Sequence, residues 1–266
     1  MNKYIKGDRT VVANAKGFLL DLDGTVYLGD SLIPGSDKFI SALADDGRKW
    51  LFITNNCSKN PREYSEKLTR LGIDTPVERI FTSGELAARV LRSKGVSRAF
   101  VLGTPSLVEQ LEQFGIVHDA QDPQVVLSSF DLTLTYDRLL EAVRFAQKGL
   151  PLFATHPDMV CPTPDGPIPD SGLITGMIEH CCDGKATYLG KPMTEMVQGA
   201  SERLALEPSS LLFIGDRLYT DMRMANDAGI SSVLVLSGEA TLEDLEDSPY
   251  KPSLVADSVA SLIPFL

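Results

Sequence analysis

A chain of 266 residues that is 43% hydrophobic and 23% charged holds enough apolar material for one large core or two smaller ones. No run approaches the roughly 18 consecutive apolar residues that span a bilayer, and the polar stretch Met1–Lys16 lacks a secretion signal, so a cytoplasmic protein with no membrane partner is expected. A formal charge of −11 argues against nucleic acid as a partner, and a phosphorylated small molecule fits only with a local cation or metal.

In chain order, the apolar run Gly17–Leu20 predicts a buried strand and Asp37–Asp46 a helix; Trp50–Ile53 predicts a second strand and Pro61–Leu71 a second helix. The middle of the chain continues with a helix at Gly84–Lys94, a strand at Ala99–Leu102, a helix at Ser106–Phe114 and a strand at Val125–Ser128. A helix at Tyr136–Gln147 and a strand at Leu152–Ala154 follow. The Pro- and Gly-rich stretch Thr155–Gly176 predicts a long loop of the kind that serves function. Helix Thr194–Leu204, strand Leu211–Ile214, helix Asp221–Ala228 and strand Val233–Leu236 complete the series. Continuous apolar runs suit strands buried on both faces of a parallel sheet, and their alternation with helices gives a doubly wound α/β fold with a second α/β unit in the middle.

Cys57, Cys161, Cys181 and Cys182 are too few and too irregularly spaced for a disulfide framework, so reduced thiols are expected. His180-Cys181-Cys182 lacks the paired spacing of a zinc site.

Four motifs carry chemistry. Asp21-Leu22-Asp23-Gly24-Thr25 follows the first strand directly, where ligands bind in an open parallel sheet. Two carboxylates at that spacing repel one another unless a divalent cation or a shared proton intervenes. One can attack phosphorus while the other protonates the leaving oxygen and later activates water; a surface turn or a calcium-loop fragment is the bland alternative, although no calcium-type ligands follow. Gly215-Asp216-Arg217-Leu218-Tyr219-Thr220-Asp221 follows another buried run, with Asp216 expected beside Asp21 and Asp221 opening the next helix, where it also suits an N-cap. Thr54 and Asn55 end the second strand with groups that grip phosphoryl oxygens, or form a plain polar turn. Lys191, between Gly190 and Pro192, is a cation suited to phosphate, and gains weight only from the company of the other motifs.

Together and in this order, D-x-D-G-T, T-N-N, G-K-P and G-D-R-x-x-T-D resemble the motifs of the haloacid dehalogenase superfamily of phosphatases, most closely the NagD and p-nitrophenylphosphatase-like branch. The resemblance runs from Gly17 to about Val235 and implies a Rossmann-like core with an inserted α/β cap, here core 1–82 and 186–266 with cap 83–185. It implies Asp21 as nucleophile, Asp23 as general acid/base, Thr54 and Lys191 as phosphate-binding groups, and Mg²⁺ held by Asp21, the Asp23 carbonyl and Asp216, with Asp221 in support. Ala154-Thr155-His156-Pro157-Asp158 looks like the family's T-N-P-D with His156 in place of Asn, and a family Pro-Gly appears as Pro169-Asp170; His156 and Asp158 are therefore candidates for substrate contact. The expected activity is hydrolysis of small phosphate monoesters such as sugar phosphates or nucleoside monophosphates. The alternatives are a phosphotransferase or mutase, or a silent phosphometabolite-binding protein. A homodimer through the cap is a further expectation of the resemblance.

Overall fold

The computed structural model describes residues 4–163 and 165–266; Met1–Lys3 of the polar N-terminal stretch and Pro164 of the expected loop lie outside them. Contacts divide the chain into two units, residues 1–54, 64–81 and 194–266, and residues 55–63 and 82–193. The sequence-based division differs in assigning 55–63, 82 and 186–193 to the core.

The first unit is built on a seven-stranded sheet in the order Ile5–Gly7, Leu254–Ala256, Ser231–Val235, Leu211–Gly215, Gly17–Leu20, Lys49–Thr54, Ile80–Thr82. The five strands from Leu254–Ala256 to Lys49–Thr54 pair in parallel, and Ile5–Gly7 is antiparallel at its edge. Both faces are covered. Phe18, Leu20, Phe52, Leu212 and Ile214 pack into one core with Phe39 and Leu43 of helix Ser36–Asp45, while the alternate residues Leu19, Leu51, Ile53 and Phe213 are also buried, as a doubly wound sheet requires. Strand Gly17–Leu20 lies between the strands that follow it directly and those that return from the far end of the chain. The strand order reverses there, which is where α/β sheets bind ligands, outside the carboxyl ends of the strands.

The second unit holds a parallel five-stranded sheet in the order Thr187–Tyr188, Leu152–Ala154, Val125–Ser128, Arg98–Leu102, Val117–His118. Its helices Ser83–Ser93, Pro105–Gln113 and Tyr136–Gln147 each begin after a threonine, Thr82, Thr104 and Thr135, whose hydroxyl accepts from an amide three residues on. Phe100, Leu102, Val126 and Leu152 pack with Ala142, Ile174 and Ile178 as its core.

The stretch expected as one long loop is partly ordered. Val160–Cys161 and Ile168–Pro169 pair as an antiparallel hairpin, and helix Ser171–Glu179 begins inside the stretch, capped by Asp170. Ile174 and Ile178 sit four apart and bury one face of that helix, a period that the surrounding prolines and glycines obscure in the sequence. No helix among the described residues is long and apolar enough to cross a membrane.

Candidate active site

Three neighbouring parallel strands of the first unit end on one edge of the sheet: Leu211–Gly215 leads into Asp216, Gly17–Leu20 into Asp21, and Lys49–Thr54 ends on the buried Thr54. The Asp21 amide donates to the Ile214 carbonyl at 2.9 Å, carrying the ladder one residue further.

Side-chain oxygens of Asp21, Asp216 and Asp221 all lie within 4.8 Å of one another, and all three residues are buried. Asp221 does not open a helix. It lies inside a π-type turn, Leu218–Met222, with regular helix starting at Arg223, and its Oδ2 accepts from the Arg217 amide at 3.1 Å. The wide turn brings the carboxylate back toward the sheet edge, as such turns often do at functional sites. Burial, and then the charges of Asp21 and Asp221, push the Asp216 carboxyl well above the usual range, against the opposing pull of Arg217 and the Glu239 amide. Three buried carboxylates at this spacing repel one another. An all-oxygen donor set of this charge fits a hard divalent cation such as magnesium.

Glycines make room for these carboxylates. A Cβ on Gly24 would lie 2.2 Å from Asp216 Oδ2, one on Gly238 2.0 Å from the same oxygen, and one on Gly215 2.3 Å from Asp221 Oδ2. Gly24 also adopts φ 83°, in the left-handed region that glycine favours. The Glu239 amide donates to Asp216 Oδ2 at 2.8 Å, and the Ser237 hydroxyl to the Gly24 carbonyl at 2.8 Å. Sequence reasoning missed Ser237, Gly238 and Glu239. Their signal is position, small and polar residues just past the strand Ser231–Val235 on the same sheet edge.

Asp23 is half-buried, and its Oδ2 accepts from the Tyr27 hydroxyl at 3.3 Å. The Lys67 ammonium lies 3.7 Å from the centroid of the Tyr27 ring. Burial first, and then the charge of Asp23, raise the Tyr27 phenol well above its ordinary value, so it remains a donor. Tyr27 gave no signal in the sequence, where it reads as part of the apolar continuation Val26–Leu28.

The remaining candidates gather in the second unit. Asn55 Oδ1 accepts from the Lys191 amide at 2.7 Å, while its Nδ2 donates to the Lys191 carbonyl at 2.9 Å and to Asp158 Oδ2 at 3.1 Å. Lys191 is 3% exposed. His156 is fully buried, with Nε2 2.8 Å from Asp170 Oδ1 and Nδ1 3.0 Å from the Thr155 hydroxyl. Its partners are thus side chains.

Residues 18–117 match the family model of haloacid dehalogenase-like hydrolases, and residues 188–262 match a second model of HAD-like hydrolases. The dihydroxyacetone phosphatase of Corynebacterium glutamicum is 30% identical over 92% of this chain and 90% of its own. The solved 4-nitrophenylphosphatase of Thermotoga maritima is 41% identical, with a TM-score of 0.92 over 96% of this chain and 98% of that one. The glycerol phosphate phosphatase of Mycobacterium tuberculosis, solved in complex with magnesium, is 27% identical with a TM-score of 0.89, over 95% and 78% of the two chains. Three motifs at the expected strand ends, a doubly wound core and these matches agree: the chain belongs to the haloacid dehalogenase superfamily, as a phosphoric monoester hydrolase of its NagD and p-nitrophenylphosphatase-like branch.

Proposed function

We propose that the protein is a Mg²⁺-dependent phosphatase that hydrolyses small phosphate monoesters, such as sugar phosphates, nucleoside monophosphates and p-nitrophenyl phosphate, through an aspartyl-phosphate on Asp21. The observation that carries this reading is the buried trio Asp21, Asp216 and Asp221, whose oxygens lie within 4.8 Å of one another. Asp21, the Asp23 carbonyl, Asp216 and Asp221 would hold the ion, which when bound supplies positive charge against phosphate and carboxylates together.

The Asp21 carboxylate attacks phosphorus as the bond to the leaving oxygen breaks, and the Asp23 carboxyl gives that oxygen its proton. Asp23, now ionised, takes a proton from water as the water oxygen attacks the phosphorus of the aspartyl-phosphate. Inorganic phosphate leaves, and Asp21 and Asp23 regain their starting states. The Tyr27 hydroxyl orients the Asp23 carboxyl throughout. Thr54 and the Lys191 ammonium hold the phosphoryl oxygens. Asn55, whose amide is taken up by protein groups, serves phosphate binding by fixing the Lys191 main chain.

A homodimer through the second unit is part of this reading. Met159, Leu173 and Met177 are 55%, 38% and 42% exposed around the hairpin and helix Ser171–Glu179, an apolar surface suited to association. Light scattering that reads a monomer at all concentrations would exclude it.

The purified protein is expected to release inorganic phosphate from p-nitrophenyl phosphate with Mg²⁺, to stop when the metal is chelated, and to be inactive as Asp21→Asn. Normal turnover by that variant would end the proposal.

A further inference from the structure

The two places where this chain departs from the family pattern in the inserted segment, His156 for Asn and Asp170 for Gly, meet in space: His156 Nε2 lies 2.8 Å from Asp170 Oδ1. Both residues are buried, at 0% and 4% exposure. The surrounding groups offer an acceptor to each ring nitrogen. The Thr155 hydroxyl donates to Ser129 Oγ at 3.0 Å, which leaves its oxygen as an acceptor for His156 Nδ1–H. Asp170 Oδ1 also takes the Ser171 amide as the cap of helix Ser171–Glu179, as a carboxylate does, and so accepts from Nε2–H. Were both nitrogens to donate, the ring would be an imidazolium.

The titratable groups that face this ring are Asp170, Asp158 and the thiol of Cys57. Burial alone would discharge the ring, but the charge and hydrogen bond of Asp170, together with Cys57 and Asp158, hold its titration well above the ordinary histidine range. For Cys57, burial alone would raise the thiol, but the hydrogen bond and charge of His156 bring it below its ordinary value.

The pair stands behind the Lys191 loop. Asp158, which faces the imidazolium, accepts from Asn55 Nδ2, and this fixes which end of the Asn55 amide meets the Lys191 N–H. Gly190 lies against the same segment: a Cβ there would be 2.6 Å from the Thr155 carbonyl and 2.8 Å from His156 Cβ. We propose that His156 and Asp170 are positioning residues, an internal ion pair that holds Asp158 and Asn55 in the arrangement that sets the Lys191 main chain. The inference rests on Lys191 as a phosphate-binding group and adds to it a reason for the two departures: they act as one compensated exchange of neutral residues for a pair of opposite charges.

The exchange can be tested on the whole 266-residue chain. Nitrogen-15 spectra of the three histidines, with His118→Gln and His180→Gln identifying the other two signals, are expected to show both His156 nitrogens protonated at pH 7.5; a neutral ring would overturn the proposal. With p-nitrophenyl phosphate and Mg²⁺, His156→Asn is expected to lower kcat/KM roughly 10- to 100-fold. His156→Asn with Asp170→Gly, which restores the family's neutral pair, is expected to regain most of that loss. In a Lys191→Ala background, His156→Asn should cost almost nothing more, because its effect passes through the lysine. The ratio of wild type to His156→Asn should fall toward one as pH rises through the titration of the ring. Additive losses, no rescue and a pH-independent ratio would overturn the proposal. A wild type that hydrolyses no ester would sink the phosphatase reading instead, and the spectra with a thermal cycle of the two single variants and the double variant would still decide the pairing.

Discussion

Asn55 grips both main-chain polar groups of Lys191, accepting its N–H at 2.7 Å and donating to its C=O at 2.9 Å. One side chain thereby fixes the orientation of the backbone that carries the lysine, and the bond to Asp158 at 3.1 Å fixes the amide itself. Asn55→Ala is expected to reduce kcat/KM for p-nitrophenyl phosphate roughly 100-fold, since small misplacements of a charged group are costly in catalysis. Asn55→Asp keeps the acceptor but loses the donor and faces Asp158 with a like charge, so it should be no better. Steady-state kinetics of the two variants checks this; near-normal turnover by either would contradict it.

The acid trio predicts a thermal signature. Mg²⁺ is expected to raise the melting temperature of the wild type by linkage. Asp216→Asn removes one of three crowded charges, so its metal-free form should melt higher than the metal-free wild type, by about 2–4 °C for each kcal/mol gained. The same variant should lose the Mg²⁺-induced rise. Differential scanning calorimetry with and without chelator reads both effects, and an undiminished Mg²⁺ response would contradict the assignment.

Gly24 and Gly238 close on the same oxygen of Asp216 from two loops. Alanine at either position has to displace that carboxylate, and at Gly24 it also takes on a left-handed backbone, at a cost of about 1–3 kcal/mol. Both variants should fold with reduced stability and lose metal-dependent phosphate release, a combination measurable by urea unfolding and a phosphate assay.

Tyr27→Phe removes the hydroxyl that bonds Asp23 and leaves the ring beneath Lys67. A bond of ordinary strength contributes about 0.5–1.5 kcal/mol, so kcat should fall roughly 2- to 10-fold. KM should hardly move, because in the proposed mechanism the contact serves the acid and not the phosphate. A change confined to KM would show that the hydroxyl does something else.

Asp21, Asp216 and Thr54 were legible because each ends a continuous apolar run, and in a parallel sheet such runs deliver their last residues to one edge. Asp221 was legible as a candidate but not as it lies, since a π-type turn has no composition that marks it. Helix Ser171–Glu179 was hidden by the prolines and glycines before it, although Ile174 and Ile178 carry its period. The bond between His156 and Asp170 depends on how a hairpin folds back, and neither residue type announces a partner from a distance. Tyr27 and Gly238 have the same character: they matter for what they touch, which only the folded chain reveals.

The position of strand Gly17–Leu20 between the strands that follow it and the returning strand Leu211–Gly215 has a consequence for synthesis on the ribosome. Asp21 emerges early, but its carboxylate neighbours Asp216 and Asp221 follow only after the second unit has been made. A chain that stops before Asp216 carries Asp21 without the two neighbours that complete the trio, so it is expected to hold no cation at this edge and to release no phosphate.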